Sequence, residues 1–459
     1  MNESQNTNNE SQTINNKTKS MNQTLAEPVF LKPIKTAERI NSLDVIRGIA
    51  LLGILLMNIN GMGLPFAYSD PTIAGGADGL NLKVWIANNM LFEGTMRGLF
   101  TLLFGAGVIL LTSRLEKNGA GITTADIYYR RILWMLLFGI INVYVLLWNG
   151  DILYPYAIFG LMLFPFRNAA VKKLFLVAGI LISIGILWDI SDYHTKLHIQ
   201  KEGTEIQALS DKGTVLTKKQ EESLKEWEKL KTKHTQEEVN EQIEKMHQSY
   251  FKVMLAKVEE NQFMQTWFPY RIWPWDILSF MLIGMAFFKL RIFHGERTLL
   301  FYVIMLITGY LVGLSVNYME TRMVLDSNFD AVTMYKADQT YQIGRLFTTI
   351  GHVGLFMLFI KSGILRFLQK SLAAVGTMAL TNYLTHSIVT SIIFYGDGFS
   401  MYGKLERFEL YYIVGSIWIF QLIVSPIWLR YFIYGPAEWI WRSLTYQKMQ
   451  AFRIKTEFK

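Results

Sequence analysis

Arg345 and His352 stand seven residues apart in an apolar stretch. That spacing puts them on nearly the same face of a helix, about 10 Å apart along its axis. A neutral imidazole can take a proton from a hydroxyl group while a nearby guanidinium stabilises the charge developing on oxygen. Asp151, in "NGDILYPYAIFG", and Asp276, in "YRIWPWDIL", come from other apolar stretches at the same level. These four are the candidate catalytic residues. The same groups would also serve as a charge pathway for a transported solute. Glu93 and Arg97, at i and i+4, are spaced for an ion pair on one helix face, with Gly94 and Gly98 forming a G-x-x-x-G in the same turn. A second group opens "RINSLDVIRGIALLGILLMNI", residues 39–59. There Asp44 and Arg47, at i and i+3, can meet on one face. Asp44 suits the positive end of the helix dipole, and Ser42 is placed to cap the helix. Arg47 opposes that dipole unless something negative receives it.

The elements that must hold these residues are membrane spans. The chain has 459 residues, of which 51% are hydrophobic and 14% aromatic, and its mean hydropathy is +0.22. Polar sequence is confined to two places, so the apolar runs read as spans in an all-α, polytopic membrane helix bundle. Ten are expected, near 46–62, 96–113, 132–148, 152–166, 174–190, 272–290, 299–317, 342–361, 372–394 and 410–430. An interfacial helix is expected over 82–92. Arg114, Lys117, Arg130, Arg131, Lys172, Lys289, Arg297, Lys361, Arg442 and Lys448 fall in loops that alternate with loops poorer in basic residues. The positive-inside rule then places both termini in the cytoplasm. The net charge of +8 follows from those loops and does not call for nucleic acid. Cysteine is absent, which excludes disulfides and thiolate catalysis.

Five segments follow: a disordered polar tail at 1–38, a membrane half at 39–190, a charged helical insertion outside the membrane at 191–265, a second membrane half at 266–446, and a basic tail at 447–459. His194 and His198 have the i, i+4 spacing of metal ligands, but no third ligand is evident, so they read as part of a solvated helix face and no metal is assigned. Asn58, Asn60, Asn317 and Asn382, each taken singly, read as helix ends or interhelical hydrogen bonds.

"RINSLDVIRGIALLGILLMNI", "GDILYPYAIFG", "GTMALTNYLTHSIVTSIIFY" and "YGPAEWIWRSLTY" resemble four ordered motifs of the YeiB-like family, bacterial multi-pass membrane proteins grouped as domain of unknown function 418. The resemblance covers about residues 39–446. That family is similar to the transmembrane acyltransferases that include the heparan glucosaminide acetyltransferase. Their Arg-x-x-Ser-Leu-Asp-x-x-Arg-Gly opening is matched by Arg39, Ser42, Leu43, Asp44, Arg47 and Gly48. The resemblance implies a multi-pass protein of the bacterial plasma membrane that takes an acyl group from cytoplasmic acyl-CoA, a co-substrate and not a tightly bound cofactor, and passes it to an envelope acceptor. Arg39 and Arg47 would then receive the phosphates of the donor, with Asp44 holding Arg47. The acetyltransferase branch carries its histidine in the loop after the first span, whereas residues 60–95 here contain none. The base then falls to His352 or His386. A solute transporter and a structural or regulatory membrane protein are the alternatives. Oligomeric state is not legible.

Overall fold

The computed structural model describes residues 41–73, 75–231 and 233–454. Arg39, the expected tail at 1–38 and residues 455–459 of the basic tail lie outside the described residues. Among the described residues every extended element is helical, with a lone bridge between Phe432 and Arg453. Among the described residues, six helical segments are long and apolar enough to cross a membrane: Asn41–Gly63, Gly79–Lys117, Val171–Asp211, Leu299–Asp326, Ala331–Ser362 and Leu410–Tyr431.

In chain order, α1 (Asn41–Gly63) is followed by α2 (Gly79–Leu91), α3 (Thr95–Lys117), α4 (Thr123–Tyr144) and α5 (Leu153–Leu161). α6 (Val171–Asp211) runs without a break past residue 190, so the expected fifth span and the start of the insertion are one rod. The rest of the insertion is α7 (Lys218–Lys231), α8 (Gln236–Met246), α9 (Tyr250–Ala256) and α10 (Val258–Gln265), more helices than the one or two expected. α8 starts at a reciprocal cap: Glu238 N–H donates to Thr235 Oγ1 and Thr235 N–H donates to the Glu238 carboxylate. The insertion is tied down to the membrane part. Tyr250 Oη donates to the Val145 carbonyl at 2.7 Å, and Lys257 Nζ donates to the Leu147 carbonyl at 3.1 Å.

The second half comprises α11 (Trp267–Arg271), a π turn (Pro274–Leu278), α12 (Ser279–Lys289), α13 (Leu299–Asp326), α14 (Ala331–Ser362), α15 (Arg366–Thr377), α16 (Ala379–Phe394), α17 (Leu410–Tyr431) and α18 (Pro436–Tyr446). Three of the expected spans take interrupted forms, each for a local reason. The span near 152–166 is the nine-residue α5 followed by a 3-10 turn around Pro165. The span near 272–290 begins irregularly at Pro274, which has no N–H to give a regular turn. The span near 372–394 breaks at Met378, and the N–H groups of Leu380 and Thr381 in the new first turn donate to the Glu438 carboxylate.

α1 is the central post, with 67% of its apolar window buried, against 17% for α6 and 22% each for α13 and α17. Those three outer helices present Leu187, Leu311 and Ile419 outward, as a lipid-facing surface would. Glycines set the closest approaches. A Cβ on Gly48 would lie 2.1 Å from the Leu372 carbonyl oxygen, and one on Gly376 would lie 1.9 Å from the Asp44 carbonyl oxygen. α1 and α15 therefore touch backbone to backbone, which is why the Arg47-Gly48 pair must be glycine in its second place. Gly105 of α3 and Gly284 of α12 make the same reciprocal contact.

Candidate functional site

A cavity of about 300 Å³ lies between α1, α3, α4, α5, the α15–α16 break and α18. Its walls are apolar, formed by side chains such as Phe100, Leu103, Phe104, Ile132 and Met135. One end carries Arg47, Arg114, Arg131 and Arg442, against the two carboxylates of Asp44 and Glu438. The expected Asp44–Arg47 pair forms, with Arg47 Nη1 donating to Asp44 Oδ1 at 2.9 Å. Ser42 does not cap α1: it lies inside the helix and donates to the Phe293 carbonyl, pinning the turn after α12. The Arg131 guanidinium stacks 3.7 Å over the Trp441 ring, and Arg442 lies 4.5 Å over Tyr434. Arg131 feels the like charges of Arg442 and Arg47, so this end is electropositive. Glu438 makes no ion pair with these arginines among the described residues; its oxygens accept from Leu380 N–H at 2.6 Å, Thr381 N–H at 3.0 Å and Thr381 Oγ1 at 2.5 Å.

The other end closes on Ile152, Leu153, Tyr156 and Tyr383. Tyr383 Oη donates to Asp151 Oδ1 at 3.2 Å and accepts from Ile152 N–H at 3.0 Å. Asn142 Nδ2 donates to the same carboxylate at 2.8 Å, and Tyr154 N–H donates to its Oδ2 at 2.7 Å. Tyr156 shares a hydrogen bond with Thr101 and donates to the Arg97 carbonyl at 3.2 Å.

Behind this closed end, Asp276 bridges two arginines. Arg97 Nη1 donates to Asp276 Oδ2 at 2.5 Å, and Arg345 Nη1 pairs with Asp276 Oδ1. Arg345 is 1% exposed; its Nη2 donates to Gln342 Oε1 at 3.0 Å, and the Phe280 ring lies 4.3 Å from its guanidinium carbon. Arg97 pairs with Asp276 and not with Glu93, because the chain breaks between α2 and α3: Gly94 takes φ 65°, so the i, i+4 geometry expected there does not exist. A Cβ on Gly94 would strike Tyr341 and Arg345, so this turn lies directly on the ion cluster.

The structure thus brings Arg345 and Asp276 together, and it keeps His352 apart from them. His352 Nε2 faces the Leu91 carbonyl at 2.9 Å and must carry the proton, while Nδ1 accepts from Tyr310 Oη at 2.7 Å. Both ring nitrogens are used in joining α2, α13 and α14. His386 Nε2 donates to Gln421 Oε1 at 3.1 Å, and Asn382 bonds Ser425 and the Val375 carbonyl.

The family described as protein of unknown function (DUF418) matches residues 287–448. YeiB of Escherichia coli K12 is 30% identical over 422 residues, covering 89% of this chain and 96% of that protein. This chain belongs to the YeiB-like DUF418 family. YxaH of Bacillus subtilis strain 168 is 29% identical over 438 residues, covering 93% of this chain and 99% of that protein. No solved structure matches the chain significantly. In this YeiB-like protein the four motif stretches meet at one place: Leu43, Asp44 and Arg47; Ile152, Leu153 and Tyr156; Gly376, Thr377 and Tyr383; Tyr434, Glu438 and Arg442 all line the cavity. Sequence reasoning counted Arg114, Arg131 and Arg442 as loop charges only. It missed Tyr383, although the "GTMALTNY" motif contained it.

Proposed function

We propose that this YeiB-like protein transfers an acyl group from cytoplasmic acyl-CoA to an acceptor in the bacterial envelope. The observation that supports this is one apolar cavity, lined by all four motif stretches, whose open chemistry is a group of arginines at one end. Apolar walls suit an acyl-pantetheine arm, and guanidiniums suit its phosphates. In this reading ten segments cross the plasma membrane, both termini are cytoplasmic, and residues 191–265 stand outside. The arginine-rich end of the cavity then faces the acyl-CoA pool. Arg97, Asp276 and Arg345 form a fixed charge frame behind the closed end, and His352 is a structural brace.

Titration of acetyl-CoA into detergent-purified protein should saturate. Arg47→Ala should weaken that binding roughly tenfold, the scale of one charge-assisted hydrogen bond. Absence of saturable binding by the wild-type protein would overturn the donor reading.

One observation favours a second reading, solute transport. Interrupted helices at Met378 and at Pro274 flank buried charges, an arrangement that lines solute paths in transporters. Proteoliposomes that take up solute with no acyl-CoA present would favour it.

A further inference from the structure

The closed end of the cavity has a hydroxyl group with an unusual setting. Tyr383 lines the cavity, and its oxygen is held between two groups of the loop before α5. It donates to Asp151 and accepts from Ile152 N–H. A phenol oxygen has two lone pairs; Ile152 N–H uses one and the Trp148 side chain lies against the other, so an incoming donor would take Trp148's place. Asp151 is 2% exposed and has no arginine or lysine partner among the described ion pairs. Its carboxylate is positioned by Asn142 and Tyr154 N–H, and neither can take a proton from it.

An independent observation marks the same place. Two buried polar atoms around the pair have no hydrogen-bond partner: Asn142 Oδ1 and Ser387 Oγ. Asn142 is already bonded to Asp151 through its other amide atom. Trp148 lies beside Tyr383. Ser387 is one turn beyond Tyr383 on α16, and one turn further Ser391 Oγ donates to the Leu146 carbonyl at 2.7 Å. Ser387 therefore faces the same 142–152 segment. Buried polar groups are normally paired. Two unpaired ones sit beside the Tyr–Asp pair, behind the cavity wall that Tyr383 forms, and leave spare donor and acceptor capacity next to Tyr383.

We propose that Tyr383, backed by Asp151, is the proton-relaying group for the transfer. The inference rests on the acyl-transfer reading and names the base that reading lacked. The acceptor oxygen bonds to the acyl carbon as its proton moves to Tyr383 Oη, and the tyrosine's own proton moves to Asp151 Oδ1. The carbon–sulfur bond then breaks with its electron pair on sulfur. The proton returns from Asp151 through Tyr383 to give the CoA thiol. Tyr383 is the catalytic residue here, and Asp151 is a positioning residue that stores the proton.

Water can stand in for the acceptor, so the test is thiol release from acetyl-CoA by the full-length protein in detergent, with acetyl-CoA binding measured alongside. Tyr383→Phe and Asp151→Asn should each lower kcat roughly 100-fold, the scale of general acid–base catalysis, with KM and binding within about threefold of wild type. The double variant should be no slower than either single one, because the two residues act as a unit. Tyr383→Phe that keeps kcat within about threefold would overturn the relay and leave the donor reading intact. Variants that lose binding and turnover together would also overturn it, since that is the signature of a structural role. A wild-type protein that binds acetyl-CoA and releases no thiol overturns it as well. A wild-type protein that fails to bind acetyl-CoA overturns the donor reading and the relay together.

Discussion

Arg97 and Arg345 differ from Arg131 and Arg442 in one respect that decides what each pair can do. The first two share the carboxylate of Asp276, and Arg345 adds Gln342 and the face of Phe280. The second two stack on aromatic rings, and no ion pair engages either among the described residues. A guanidinium held by a buried carboxylate ties segments together, and one that rests on a ring keeps its donors for an anion. The residue type is the same in the cavity and behind its closed end, and the neighbours assign the role.

The largest effect should come from removing the shared carboxylate. Asp276→Ala leaves two cations facing each other in low dielectric, and breaking a buried pair this way costs about 3–5 kcal/mol. Thermal unfolding in detergent should show a loss of many degrees or a failure to yield monodisperse protein. A melting curve close to wild type would break the comparison, because the Asp276 cluster would then not be holding α3, the π turn before α12, and α14. An intermediate effect is expected at the other end. Arg131→Ala and Arg442→Ala should each weaken acetyl-CoA binding roughly tenfold, with stability changed by less than about 1 kcal/mol. That binding should also fall as ionic strength rises, since charges near the surface are screened. If either variant melts as poorly as Asp276→Ala, the ring-stacked arginines are scaffolding too, and the distinction fails.

The smallest effect sharpens the contrast from outside. Thr235→Ala removes half of the reciprocal cap of α8 and should fray that helix by about 1 kcal/mol, with acetyl-CoA binding unchanged. Backbone N–H donation from Thr235 holds the Glu238 carboxyl below its ordinary range. The cap's contribution is therefore complete above the unfolded carboxylate range and is lost as pH falls through the lowered folded value. Hydrogen exchange of α8 across that window measures it.

Some of this was legible residue by residue. The Asp44–Arg47 contact followed from i, i+3 spacing, because both partners sit on one continuous helix. The helix expected over 82–92 appears as α2 for the same kind of local reason. The Glu93–Arg97 pair failed because spacing rules assume an unbroken helix, and Gly94 breaks it. His352 looked like a base because a histidine in an apolar stretch demands a partner. The partners it found, Tyr310 and the Leu91 carbonyl, lie 42 and 261 positions away in sequence. Tyr383 carried no sequence signal of its own beyond its motif, since a tyrosine in an apolar helix is ordinary core.

The sequence by itself determined the helices and their apolar faces, because hydropathy, proline and glycine act over one or two turns, while cations counted as loop charges, such as Arg114, Arg131 and Arg442, lie within helices. It determined the family through motifs spread along nearly the whole chain. Only the tertiary structure decided that those motifs share one cavity, that Asp276 serves two arginines, and that Tyr383 rests on Asp151. Each of these depends on which backbones come close enough to touch. That is set by reciprocal glycine contacts such as Gly48 with α15 and Gly376 with α1, whose partners stand more than 300 residues apart.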